Sequence, residues 1–114
     1  MNDLMRPALY QAHHEIQPLT KKAEGHPSVS YDVVGPICES TDKFAAKRDL
    51  PALEQGDRIA FMSAGAYGAV LSSQYNARPL VPEVLVDGNR FAVIRRRPDF
   101  EDMIRLETVP DWLS

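Results

Sequence analysis

The stretch Glu83-Val84-Leu85-Val86-Asp87-Gly88-Asn89-Arg90-Phe91-Ala92-Val93-Ile94 reads as a β-hairpin and decides the fold class. Two apolar runs flank Asp87, Gly88 and Asn89, and an Asp-Gly pair suits a turn that needs positive φ. Val84 and Val86 belong to one face and Leu85 to the other, an alternation that continues through Phe91, Val93 and Ile94. Both faces carry apolar residues, so a sandwich or barrel is expected rather than a sheet with one wet face. Outward from the hairpin the punctuation stays that of a β protein. Residues 30–38 are rich in β-branched side chains, and residues 57–62 and 69–73 are short apolar runs. Nine prolines and six glycines fall mostly between these runs. Pro98 and Asp99 open a short closing helix over residues 100–106. At the other end, Asn2 and Asp3 are expected to cap a helix with Leu4, Met5, Ala8, Leu9 and Ala12 at helical spacing. Pro7 is tolerated only in its first turn or so, and the helix must end near His13, ahead of Pro18 and the segment 21–27. The expected fold is therefore mainly β: a β-sandwich or Greek-key barrel-like domain with a short N-terminal and a short C-terminal helix.

The chain has 114 residues, 44% hydrophobic and 25% charged, which is the size and balance of one compact soluble domain. Its apolar runs are too short for a membrane span, and no basic-then-apolar leader opens it, so the cytoplasm is the expected location. A net charge of −3 gives no general attraction to nucleic acid or anionic lipid. One cysteine excludes an internal disulfide and a cysteine-based zinc cage. A domain that opens at a helix cap, without a lead-in strand or tail, is expected to have been cut from a longer polypeptide.

Several residues could carry chemistry. Arg6 and Tyr10, four apart on a helix, share a face and make a clamp for a carboxylate: the guanidinium takes both oxygens and the phenol adds one oriented donor. By spacing alone the commoner reading is a surface arginine and a half-buried tyrosine. Cys38 ends an apolar strand and precedes Glu39, Ser40, Thr41 and Asp42. A thiol beside carboxylates holds its proton, which favours proton donation over nucleophilic attack; the other reading is a small buried hydrophobe. Gly65, Ala66, Tyr67 and Gly68 form a tight turn with a phenol at its rim, either a phosphate approach or a simple hairpin turn. His13, His14 and His26 lack the spacing of a metal site, and no metal is expected. Arg95, Arg96 and Arg97 are followed by Asp99, Glu101 and Asp102, which suits a solvated strand end with local ion pairs rather than a nucleic-acid patch.

In order along the chain, MNDLMRPALYQAHHEI (1–16), VVGPICESTD (33–42), LPALEQGDRIAFMSAGAYGAVLSSQYNARPLVPEVLVDG (50–88) and RRRPDFEDM (95–103) resemble the carboxyl-terminal part of diaminopimelate decarboxylases. The match covers most of the chain and is weakest over residues 17–30. Decarboxylases of ornithine, arginine or carboxynorspermidine are the related alternatives, and a noncatalytic interaction module of the same fold is another. MRPALY together with CES points to the diaminopimelate branch. The resemblance implies that residues 1–114 are the C-terminal β domain of a fold-type III, pyridoxal 5'-phosphate-dependent enzyme that converts meso-diaminopimelate to L-lysine. It also implies a homodimer with active sites shared across the interface.

By that resemblance, Arg6 and Tyr10 bind the carboxylate that is retained, and Glu39 reads the distal ammonium. Cys38 is the candidate proton donor, acting in the partner's site, and Tyr67 contacts cofactor and substrate. The (β/α)8 barrel that carries the cofactor lysine is absent. None of Lys21, Lys22, Lys43 or Lys47 lies in a segment like the family's lysine motif, so the isolated chain is expected to be inactive. Thr41 stands where the family commonly has glycine, which sets β-branching against any positive φ there.

Overall fold

The computed structural model describes residues 1–21 and 25–113. Lys22 therefore lies outside the described residues. The chain divides into two compact units, Met1–Ser72 and Ser73–Ser114.

In the first unit, α1 (Arg6–Tyr10) precedes four strands: β1 (Ile16–Pro18), β2 (Ser28–Val34), β3 (Lys43–Pro51) and β4 (Ile59–Phe61). They form two antiparallel pairs, β1 with β4 and β2 with β3. The β2–β3 hairpin is the longer one, and its register runs from Ser28 opposite Pro51 to Val34 opposite Lys43. It slips between Tyr31 opposite Arg48 and Val33 opposite Ala45, which leaves Ala46 and Lys47 facing Asp32 alone. This is a bulge. Lys47 takes φ 47°, and its amide, freed from the ladder, donates to the Asp32 carboxylate at 2.9 Å while Lys43 Nζ reaches the other oxygen at 3.1 Å. These two donors hold the Asp32 carboxyl below the ordinary carboxylate range.

The core of this unit is small. Ile16, Val33 and Leu50 are buried together, with Tyr31, Phe44, Ala45, Leu53, Ile59 and Phe61 packed around them. The Phe44 and Phe61 rings meet at 4.9 Å with a 54° tilt, within the favourable range for aromatic pairs. Tyr31 Oη accepts the Leu53 amide at 2.9 Å and ties the exit of β3 back to β2.

The second unit contains β5 (Glu83–Asp87) and β6 (Arg90–Arg95), paired antiparallel, and α2 (Phe100–Ile104). The hairpin read from sequence is present, with Asp87 opposite Arg90 and Gly88 at φ 60°. Only the first central residue has positive φ, the pattern of a type II′ turn. Its apolar residues Val84, Leu85, Val86, Phe91, Val93 and Ile94 are all exposed, on both faces. Asp99 caps α2 through a reciprocal capping box with Asp102, and Arg96 pairs with Asp102 at 2.7 Å, lowering that carboxyl below its usual range.

The molecule is mainly β, as expected, with three two-stranded sheets among the described residues. Three local expectations are corrected. Met5, not Asn2 or Asp3, stands at the N-cap of α1 without a side-chain bond, and the helix is one turn and a half, closed by Gln11 at φ 54°. Residues 69–71 are a 3-10 turn, not a strand. The longest strand, β3, was not anticipated. No described helix is long and apolar enough to cross a membrane.

Leu50 is 4% exposed, and truncating it leaves a cavity that so small a core cannot refill. Leu50→Ala should lower the unfolding free energy by about 2–4 kcal/mol, read by urea denaturation with far-UV circular dichroism; a loss under about 1 kcal/mol would contradict this core.

Candidate active site

Arg6, Tyr10, Cys38, Glu39 and Tyr67 all fall in the first unit, and the Arg95–Arg97 run falls in the second. Arg6 and Tyr10 open and close α1, one turn apart on one face. Tyr10 is 65% exposed and Arg6 partly so. Among the described residues, neither the guanidinium nor the phenol has a hydrogen-bond or ion-pair partner, so both are available to an anion. The helix is held in place just after its end. Arg48 of β3 donates to the His14 carbonyl at 2.8 Å and to His13 Nδ1 at 3.2 Å. His14 itself is buried, with Nδ1 3.0 Å from the Met62 carbonyl. Arginine forks are stiff, and one that spans two consecutive residues fixes both position and direction of the segment it grips.

Cys38 and Glu39 lie on the connection of the β2–β3 hairpin, residues 35–42. Cys38 is exposed, which corrects the alternative of a small buried hydrophobe. It is the central residue of a γ-turn, because the Glu39 amide donates to the Ile37 carbonyl at 2.8 Å. The Glu39 carboxylate folds back on its own loop. Its Oε1 accepts the Thr41 hydroxyl at 3.2 Å, the Thr41 amide at 3.4 Å and the Ser40 hydroxyl at 3.4 Å. Thr41 is not among the residues with positive φ, so β-branching causes no strain there. The same hydroxyl lies 3.1 Å from Met1 Sδ, joining this loop to the segment that leads into α1.

Tyr67 occupies the Gly65–Gly68 turn at φ 59° and is 72% exposed. A side chain at Gly68 would strike the Ala64 carbonyl, so the turn closes only with glycine there. The turn feeds a 3-10 helix, Ala69–Leu71. The clamp helix and the thiol loop are thus connected through Met1. No hydrogen bond among the described residues ties Tyr67 to either. The cleft between α1 and β3 is lined by Pro7, Gln11, His13, Phe44 and Arg48, and not by the clamp pair.

Sequence reasoning passed over Arg48, on which this arrangement rests, and read Asp42 only as a carboxylate near the thiol, without its burial. Asp42 is only 3% exposed. A glycine seven residues before an aspartate across a hairpin connection was the available signal, since a Cβ at Gly35 would collide with the Asp42 carboxylate. Lys21, Lys43 and Lys47 are exposed and Lys43 is paired with Asp32. None has the burial that makes a lysine amine nucleophilic near neutral pH. A lysine suited to anchor a cofactor covalently is therefore not among the described residues, and the Tyr67 phenol has no partner among them. His13, His14 and His26 form no group of three metal-binding side chains with other described residues.

Residues 1–65 match the family described as pyridoxal-dependent decarboxylase, C-terminal sheet domain. The chain is similar to the diaminopimelate decarboxylase of Zymomonas mobilis, 50% identical over 113 residues, covering 99% of this chain and 26% of that protein. It is similar to the same enzyme of Archaeoglobus fulgidus, 49% identical over 98% of this chain and 26% of that one. The crystal structure of diaminopimelate decarboxylase from M. jannaschii in co-complex with L-lysine is 38% identical, with a TM-score of 0.88 over 100% of this chain and 26% of its own. The chain spans about a quarter of the length of these relatives.

An exposed thiol at Cys38, the sole cysteine, should react with Ellman's reagent in the folded protein at about one equivalent per chain. Labelling that waits for denaturant would place Cys38 inside the fold and overturn the loop geometry.

Proposed function

Because the chain belongs to the family of C-terminal sheet domains of pyridoxal-dependent decarboxylases, we propose that it is the C-terminal β domain of a diaminopimelate decarboxylase that forms L-lysine. One observation carries the reading: an unpartnered guanidinium and phenol share one face of a helix whose lead-in segment is bonded to the loop of Cys38 and Glu39. In the parent, the missing barrel contributes the lysine, and apolar faces such as those of the β5–β6 hairpin are covered by further strands that complete a sandwich or Greek-key barrel. The parent is a cytoplasmic homodimer whose sites are shared across the interface.

The substrate is an amino acid with two similar ends, so selection depends on reading the end that does not react. Arg6 binds that carboxylate through both oxygens, and Tyr10 fixes its plane with a third donor. Glu39 exchanges its bonds to Thr41 and Ser40 for the distal ammonium, a charge-assisted bond about twice as strong as neutral ones. Pyridoxal phosphate, when bound, accepts the electron pair released as carbon dioxide leaves. Cys38 holds a proton at Sγ and delivers it to the vacated carbon in the partner's site. Tyr67 lines the same site and contacts cofactor and substrate. A related enzyme for ornithine, arginine or carboxynorspermidine would have no use for a distal carboxylate clamp.

In a full-length parent, Arg6→Ala should lower kcat/KM for meso-diaminopimelate by about 10²–10⁴-fold, the size of two lost charge-assisted bonds, and erase preference over substrates with a bare distal amine. Cys38→Ala should lower kcat by about 10²–10⁴ with KM little changed. Normal turnover in both variants would sink the assignment of Arg6 and Cys38, whereas a full-length parent with no decarboxylase activity at all would favour a noncatalytic module. The 114-residue chain mixed with pyridoxal phosphate and borohydride should gain no cofactor mass at a single lysine; stoichiometric attachment would contradict the need for a barrel lysine.

A further inference from the structure

We propose that Asp42 is the positioning residue that aims Cys38, an inference that rests on the proton-donor reading above. Its carboxylate is buried in the hairpin connection and is bonded on both sides. Oδ2 accepts the Ile37 amide at 2.7 Å, and Oδ1 faces the nitrogen of Met1. Its backbone works in parallel: the Asp42 amide donates to the Glu39 carbonyl at 2.9 Å, and the Asp42 carbonyl accepts the Gly35 amide at 2.8 Å. Ile37 and Glu39 are the neighbours of Cys38 on either side, so one residue brackets the thiol from both directions. Between the two brackets, the Glu39 amide closes the γ-turn onto the Ile37 carbonyl.

The arrangement explains two features that no contact of Cys38 itself explains. Gly35 must lack a side chain because the Asp42 carboxylate occupies the space a Cβ would take. Met1, five residues ahead of Arg6, meets the loop twice: its nitrogen faces Asp42, and its sulfur lies 3.1 Å from the Thr41 hydroxyl, whose one proton is shared with Glu39. Asp42 therefore sets the thiol in relation to the clamp helix as well as in its own turn. The cysteine is exposed and, among the described residues, has no bond of its own to keep it in place. An exposed side chain on an eight-residue connection would otherwise sample many directions, and a proton donor needs one.

The test has a structural arm and a kinetic arm. In the 114-residue chain, Asp42→Ala should lower hydrogen-exchange protection at the Ile37 amide by about tenfold or more. It should also drop the NMR order parameter at Cys38 below about 0.6. The Tyr31 and Arg48 amides of the β2–β3 ladder should keep their protection. Asp42→Asn, which retains an oxygen for Ile37, should restore most of the order. If Asp42→Ala does not fold, Gly35→Ala, which pushes a methyl group into the carboxylate, is read in the same way. Unchanged protection and order in a folded variant would overturn the proposal. In the full-length enzyme, Asp42→Ala should lower kcat about tenfold or more with KM within about twofold, and Asp42→Asn should recover most of it. A loosened loop with undiminished kcat, where Cys38→Ala is inactive, would also overturn it. Full activity in Cys38→Ala would instead remove the proton-donor reading, while the NMR arm still judges the hold of Asp42 on its loop.

Discussion

The β2–β3 hairpin is the constraint on which the first unit depends. Its ladder supplies two of the three buried core side chains, Val33 and Leu50, and Ile16 of β1 closes over them. Its connection is the loop that carries Cys38 and Glu39, so the thiol sits at the tip of the longest pair of strands in the molecule. Its second strand supplies Arg48, whose guanidinium grips the segment after α1. The two elements of the candidate site are thus referred to one frame, the loop at the start of β3 and the clamp helix at Arg48 within it.

A frame of this kind suits chemistry that needs direction more than enclosure. Arg6, Tyr10, Cys38 and Tyr67 are open to solvent, in whole or in part, and a cleft lies elsewhere. Selectivity in the proposed reaction comes from a planar cation and an oriented phenol acting on one carboxylate, and an open rim provides that once a second surface faces it. Glu39 shows the same economy. In the free chain its carboxylate is satisfied by the hydroxyls and amide of its own loop, so it stays ordered without a ligand and has bonds to exchange when one arrives.

Parts of this were legible along the chain, and the physical reason is distance in sequence. Asp87, Gly88 and Asn89 specify a tight turn by their own backbone preferences, and Asp99 caps α2 through a residue three positions on. Strand β3 was hidden because Lys43, Lys47, Arg48 and Asp49 interrupt its apolar pattern and Ala45 and Ala46 carry little β propensity. Those charges face solvent, Asp32 or the segment after α1, and pairing with β2 overrides the local preference. Residues 69–71 failed in the opposite sense: an apolar run suggested a strand, but the tight turn closing at Gly68 turns the backbone into a 3-10 helix. The motif residues of the site were visible through resemblance, whereas Asp42 was legible only as a carboxylate near the thiol, and its burial and its bond to the Ile37 amide were not.

The sequence by itself determined the β-rich class, the 83–95 hairpin, the capped closing helix and the pairing of Arg6 with Tyr10 on one helical face. Each is a matter of residues within about a dozen positions of one another, where backbone geometry leaves few choices. The tertiary structure decided the rest: the left-handed bulge at Lys47, the reach of Arg48 to His13 and His14, and the burial of Asp42 beneath the thiol loop against Met1. These contacts join groups 15 to 41 residues apart. No local preference encodes them, because the free energy of a buried or bonded polar group is set by whichever partner packing brings to it.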